Sequence, residues 1–249
     1  MKQWTIRLLV MAILLVPQHS SALVDHGPWS TLLARYVDAH GRVAYRDLQT
    51  KDRAAFDAYL ATLAHTQTDG MTEAEEKAFW INAYNAVIVN GILQGYTAES
   101  LLGRKRLFSW FTVRIAGKDR TPDEIEHQIL RKKFADPRVH FTIVCASSSC
   151  PQLRREAYVA ERLDTQLDEA TRAFLRDPVR NHLAGHPIAL SRIFEWFAID
   201  FVNSAGSVVA FVRRFVPEDQ RALLPLSDGE LHYLEYDWTR NAQEGQRGS

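Results

Sequence analysis

The chain has almost no cysteine: two in 249 residues, Cys145 and Cys150. A small disulfide-built scaffold is therefore excluded, and a hydrophobic content of 46% is enough for a core without covalent staples. Formal net charge is also lacking, at +0 for pH 7. Nucleic-acid partners require a basic face that neutralises phosphates, so no nucleic-acid partner is expected. Long apolar runs are missing too. Leu8 to Val16 is unbroken, but it is far short of the about 20 residues that a spanning helix needs. No internal repeat is found, and the length suits one large domain or two small ones.

What is present begins with an address. Met1 to Arg7 is short and basic, Leu8 to Val16 is apolar, Pro17 stops the run, and Ser20-Ser21-Ala22 offers small residues for cleavage. This three-part pattern is that of a secretory signal peptide. The expectation is a signal peptide over 1–22, a globular domain over 23–242 and a disordered tail over 243–249. The expected location is periplasmic or secreted, with no stable membrane insertion after cleavage. In an oxidising compartment, two cysteines in a chain that folds without them call for a local reason.

Helical spacing recurs along the chain. Leu32, Leu33 and Tyr36 mark one helix, and Phe56, Leu60 and Leu63 a second. A third is predicted from Ala74 to Gln94, with Thr72 and Glu75 as a capping box and Gly95 as the stop. It is apolar on nearly every face and must be buried on every face. Asn82 and Asn85 lie on one side of it, three residues apart, and their amides need partners once buried. We expect them to face the loop between the cysteines. Thr121-Pro122 starts a helix carrying Glu126 and His127. Val139 to Val144 reads as a buried strand leading into Cys145-Ala-Ser-Ser-Ser-Cys150-Pro151. Helices outnumber strands, so the expected class is α+β: a helix-rich single domain with a central buried helix packed on a small, mostly antiparallel sheet.

Four segments taken together resemble the domain of unknown function 547 family. They are Phe79 to Ala86, Asp123 to Arg131, Asp136 through Cys145 and Cys150 to Leu153, and Leu190 to Trp196. Gly41 to Tyr45 and Tyr236-Asp237-Trp238 fit the same pattern. The resemblance implies an exported bacterial protein. It implies no activity.

The residues themselves leave several chemistries open. As a nucleophile, Cys150 would stand at a helix start set by Pro151, where backbone N–H groups favour a thiolate and form an oxyanion hole. His127 is then the expected base and His140 the alternative, with Glu126 or one of the asparagines orienting the ring. The reaction class is acyl transfer or hydrolysis at an amide or ester. As a disulfide, Cys145–Cys150 instead pins a structural loop, and the aromatic residues line a groove for a small peptide, glycan or protein ligand. A zinc site is disfavoured because His127 and His140 lack helical ligand spacing. A redox dithiol is disfavoured because the gap is not Cys-x-x-Cys. No cofactor is expected.

Overall fold

The computed structural model describes residues 24–183 and 187–245. The expected signal peptide lies outside the described residues. The central helix spans Glu73–Leu93, and its capping box forms as the sequence predicts. Thr72 Oγ1 accepts from Glu75 N while Glu75 Oε2 accepts from Thr72 N at 2.7 Å. From Lys77 to Ile92 every residue is buried. The helices Gly27–Tyr36, Tyr45–Lys51 and Arg53–His65 pack beside and against it. Gly91 permits a close crossing: a Cβ there would sit 2.5 Å from Leu107 Cδ1.

The strands are few, as the helix-rich α+β class requires. Val113–Ile115 and Lys118–Arg120 form an antiparallel hairpin. It lies on the helix Arg53–His65, where Ala116 N and Gly117 N donate to Leu63 O and Ala64 O, both at 2.9 Å. Ala189–Leu190 and His232–Tyr233 form a short parallel pair. The C-terminal segment closes over the front of the chain. Val43 N donates to Asn241 O, and the Gln243 side-chain amide donates to Tyr36 O and Arg42 O. Gln243, placed in the tail by sequence, is thus tied to the fold.

Two apolar clusters share the interior. One surrounds the central helix. The other is built on phenylalanine, with Phe141, Phe174, Phe194, Phe201 and Phe211 in ring contact. The segment expected to be a strand, Val139 to Val144, is the seam between them. It is no strand: Pro137–Phe141 is a 3-10 helix. Asp136 Oδ1 accepts from Arg138 N, and Pro137 takes the first helical position, a start that sets helical rather than extended backbone. Val139 and Ile143 then enter the first cluster and Phe141 the second.

Candidate functional site

Asn82 and Asn85 clamp the backbone on either side of the cysteine loop. Asn85 donates to Thr142 O at 2.9 Å and accepts from Val144 N at 3.0 Å. Asn82 donates to Tyr158 O at 2.8 Å and accepts from Tyr158 N at 3.0 Å. Each amide presents an acceptor and a donor, and each meets one of both. The pair therefore holds the start and the end of the segment that carries the loop. Neither amide bonds the loop residues 146–149, contrary to the sequence expectation, because those backbone groups are bonded elsewhere. Ser148 N donates to Thr239 O at 2.7 Å, Ser149 N to Asp237 O, and Asn241 N to Ala146 O. Arg180 donates to the carbonyls of Ser148 and Cys150.

Cys145 and Cys150 are joined as a disulfide. Cys150 opens no helix: the chain beyond Pro151 stays irregular until Ala160. Side chains hold it there, with Ala157 N bonded to Ser30 Oγ and Val159 N to Gln166 Oε1. The helix-start argument for a thiolate therefore fails. Other donors reach the same sulfur. Cys145 N lies 2.8 Å from Cys150 Sγ, Tyr236 Oη 3.3 Å and Ser147 Oγ 3.4 Å. Burial pushes the Tyr236 phenol up, so it keeps its proton and remains a donor.

The imidazoles face a different partner. His140 Nε2 is 2.7 Å from Asp200 Oδ2, and Arg131 grips the same carboxylate through Nε at 2.7 Å and Nη2 at 3.0 Å. Burial works against the Asp200 charge. The bonds from His140 and Arg131 overcome it and hold the carboxyl well below the usual carboxylate range. Arg131 Nη1 also contacts His127 Nδ1 at 3.0 Å. A guanidinium only donates, so His127 Nδ1 accepts and the ring carries its proton on Nε2. That nitrogen is 4.0 Å from Asp123 Oδ1. Phe197 stacks on His140 at 4.1 Å and lies under Arg131 at 4.7 Å. Glu126, expected to orient His127, instead accepts from Tyr84 Oη at 3.0 Å.

The sulfurs and both imidazoles meet in one cleft of about 190 Å³, while Arg131 and Asp200 are not among its lining residues. Glu126, His127, His140, Cys145 and Cys150 all line it, whereas Asn82 and Asn85 do not. Its other walls are aromatic: Trp196, Tyr236 and Trp238 lie within 4.6–5.9 Å of one another, and Phe108 and Phe197 join them. Trp196 remains 44% exposed. Among the described residues, neither sulfur has an imidazole as a hydrogen-bond partner. No group of three or more His, Cys, Asp or Glu among them is placed to hold a metal ion. Sulfurs joined in a disulfide are not thiolate ligands, so the zinc alternative has lost its cysteines.

Sequence reasoning missed Asp200, Arg131 and Tyr84. Arg131 carried a signal, since it stands four residues after His127 on one helical face. Asp200 carried none.

Residues 68–175 match the model of a family described as "Protein of unknown function, DUF547". That stretch takes in the central helix, the Glu126–His127 helix and the cysteine loop. No curated protein and no solved structure matches the chain.

Proposed function

We propose, for this chain with its DUF547 domain over residues 68–175, that the cleft is a binding site for a short glycan or peptide and that Cys145–Cys150 is its structural clasp. The observation that carries this reading is how the sulfurs and imidazoles are partnered. The sulfurs are bonded to each other and contacted by Ser147 and Tyr236, while His140 and Arg131 are committed to Asp200. What else lines the cleft is an aromatic platform and two carboxylates, Asp123 and Glu126. Rings of this kind stack on a sugar or an apolar side chain, and carboxylates accept its hydroxyl or amide hydrogens. The volume is below the roughly 300–1,000 Å³ of sites for drug-sized ligands. One ring or one side chain of a longer ligand therefore enters.

Calorimetry with short oligosaccharides and short peptides tests the reading. Binding to one class, lost in Trp196→Ala and Trp238→Ala, is the expected result. No binding to either class, with the disulfide intact, overturns it. The basic start, apolar run and Ser20-x-Ala22 also support export, and N-terminal sequencing of the mature protein should begin near Leu23.

A second reading has one observation in its favour. The donors converging on Cys150 Sγ would stabilise a thiolate if the disulfide were reduced, and two imidazoles share the cleft. A thiol-dependent acyl transferase or hydrolase would then act only in reductant. Iodoacetamide after reduction separates the readings: Cys150 should outpace Cys145 by far if it is a nucleophile, and the two should react alike if the bridge is structural.

A further inference from the structure

No helix among the described residues is long and apolar enough to cross a membrane, yet one short helix has the character of a surface anchor. Leu101–Lys105 continues without a break into Arg106–Trp110. The start is capped by Ser100, whose Oγ accepts from Gly103 N at 3.0 Å. The inner side of this ten-residue helix holds Gly103 and Leu107, both buried. The outer side carries Leu101, Leu102, Lys105, Arg106, Ser109 and Trp110, all exposed. Leu101 is 80% exposed, Leu102 53% and Trp110 56%. Scattered exposed apolar residues need no explanation, but three on one helical face do.

The charges on that face say what covers it. From Ser100 to Lys118 there is no acid, and the exposed face of the helix carries two cations, Lys105 and Arg106. Lys105 lies over the Trp110 ring at 5.3 Å, and neither it nor Arg106 is paired with a carboxylate among the described residues. Of the acids nearby, Glu99 accepts from Arg240 N, and Asp123 accepts from Ser109 Oγ of this helix at 2.5 Å without pairing with Lys105 or Arg106. Leucines and a tryptophan interleaved with free cations on one face match a bilayer interface, with the apolar groups in the acyl boundary and the cations at headgroup phosphates. Beside the face, Gly95, Thr97, Ser100 and Arg106 line a polar hollow of about 580 Å³.

We infer that Leu101–Trp110 docks the protein peripherally on an anionic lipid surface. The inference is independent of the proposed cleft function, but the two are joined in space. Phe108 of the same helix lines the cleft, and Arg104 lies over Trp238 at 4.2 Å. Docking would therefore hold the cleft beside the lipid surface.

Flotation of the full chain with vesicles is the test. One set is phosphatidylcholine alone and the other holds phosphatidylcholine and phosphatidylglycerol in equal amounts. The apolar run Leu8 to Val16 contributes equally in every variant, so the readout is the difference between variants. Lys105→Ala with Arg106→Ala should lower partition onto the anionic vesicles about 30-fold, roughly 5-fold per charge. Leu101→Ser with Leu102→Ser should weaken binding to the same vesicles. Brominated lipid should quench the wild type more than Trp110→Phe. All these side chains are exposed, so circular dichroism and the melting temperature should not change. Equal partition of wild type and the Lys105/Arg106 variant overturns the inference. So does self-association through this face with no vesicle binding, which would make a second copy the occupant.

Discussion

Around the central helix, the buried asparagine amides and His26 meet neutral partners. Asn82 and Asn85 close their bonds on backbone N–H and C=O groups, and His26 Nδ1 meets Tyr59 Oη at 2.8 Å. Beside the cleft, the partners are charged: Arg131 and His140 converge on the Asp200 carboxylate, and His127 stands between Arg131 and Asp123. Neutral groups satisfied by backbone cost little to bury, and they fix where chain segments run. Paired charges beside a cleft are expensive to desolvate fully and stay partly open. The first arrangement builds the frame. The second leaves polar groups that a ligand can use.

The largest effect expected is at the frame. Asn82→Ala leaves Tyr158 N and O without their partner, and Asn85→Ala does the same to Thr142 O and Val144 N. At about 1–3 kcal/mol for each buried group left unpaired, either change should cost roughly 2–6 kcal/mol in urea unfolding. A loss under about 0.5 kcal/mol would show that water or a shift of the loop replaces the amide, and the contrast with the cleft would collapse.

Next come the two regions' acid responses, which run in the same direction but in different pH windows. Burial lowers the His26 pKa from 6.5 to about 4, with Asp25 partly opposing the shift. The unfolded chain then binds the proton that the folded chain refuses. His26 thus contributes stability that is present above pH 6.5 and lost as pH falls toward about 4. The full loss is on the order of 3 kcal/mol. His26→Gln should flatten that window of the stability curve. Asp200 acts at lower pH, because its folded pKa is depressed. Its contribution is present above the ordinary carboxyl range and is lost as pH falls from that range through the depressed folded value. Asp200→Asn should remove only this lower arm and cost about 1.5–3 kcal/mol near neutrality, the scale for hydrogen bonds to charged groups. If His26→Gln leaves the curve between pH 6.5 and 4 unchanged, the assignment of that window is wrong.

The frame was far more legible in the sequence than the cleft. The capping box at Thr72 and Glu75, and an apolar pattern with no polar face, announce the central helix. The burial of its asparagines follows from that, though not which backbone groups they meet. Val139 to Val144 misled because a six-residue, mostly apolar run cannot separate a strand from a helical turn. Asp136-Pro137 was the overlooked helical start. The helix Leu101–Trp110 was hidden because Gly103 and three adjacent cations blur its period. Cys145, Cys150, His127, His140 and Glu126 were named from the sequence, and all line one cleft. Asp200 looks like any acid in the first turn of a helix, and it meets His140 only through the packing of the phenylalanine cluster.

The smallest effect expected is at the clasp, and it separates the two regions most sharply. Cys145 and Cys150 are five residues apart, a short loop whose closure is worth about 2 kcal/mol at most by the loop-entropy estimate. Much of its geometry is held without the bridge. Ser148 and Ser149 are tied to residues 237–239, Ala146 to Asn241, and Arg180 holds two loop carbonyls. The double change Cys145→Ser with Cys150→Ser should therefore lower urea stability by about 1–2 kcal/mol, leave the His26 window intact, and keep ligand affinity in the cleft within a few-fold. Tyr236→Phe, which removes the hydroxyl shared by both sulfurs, should do still less to stability. If the serine pair instead unfolds the protein, the loop belongs to the frame, and the disulfide rather than the asparagine clamps sets the course of residues 142–158. If the protein stays folded but loses its ligand, the sulfurs form part of the binding surface, and the clasp must be counted with the cleft's charged wall.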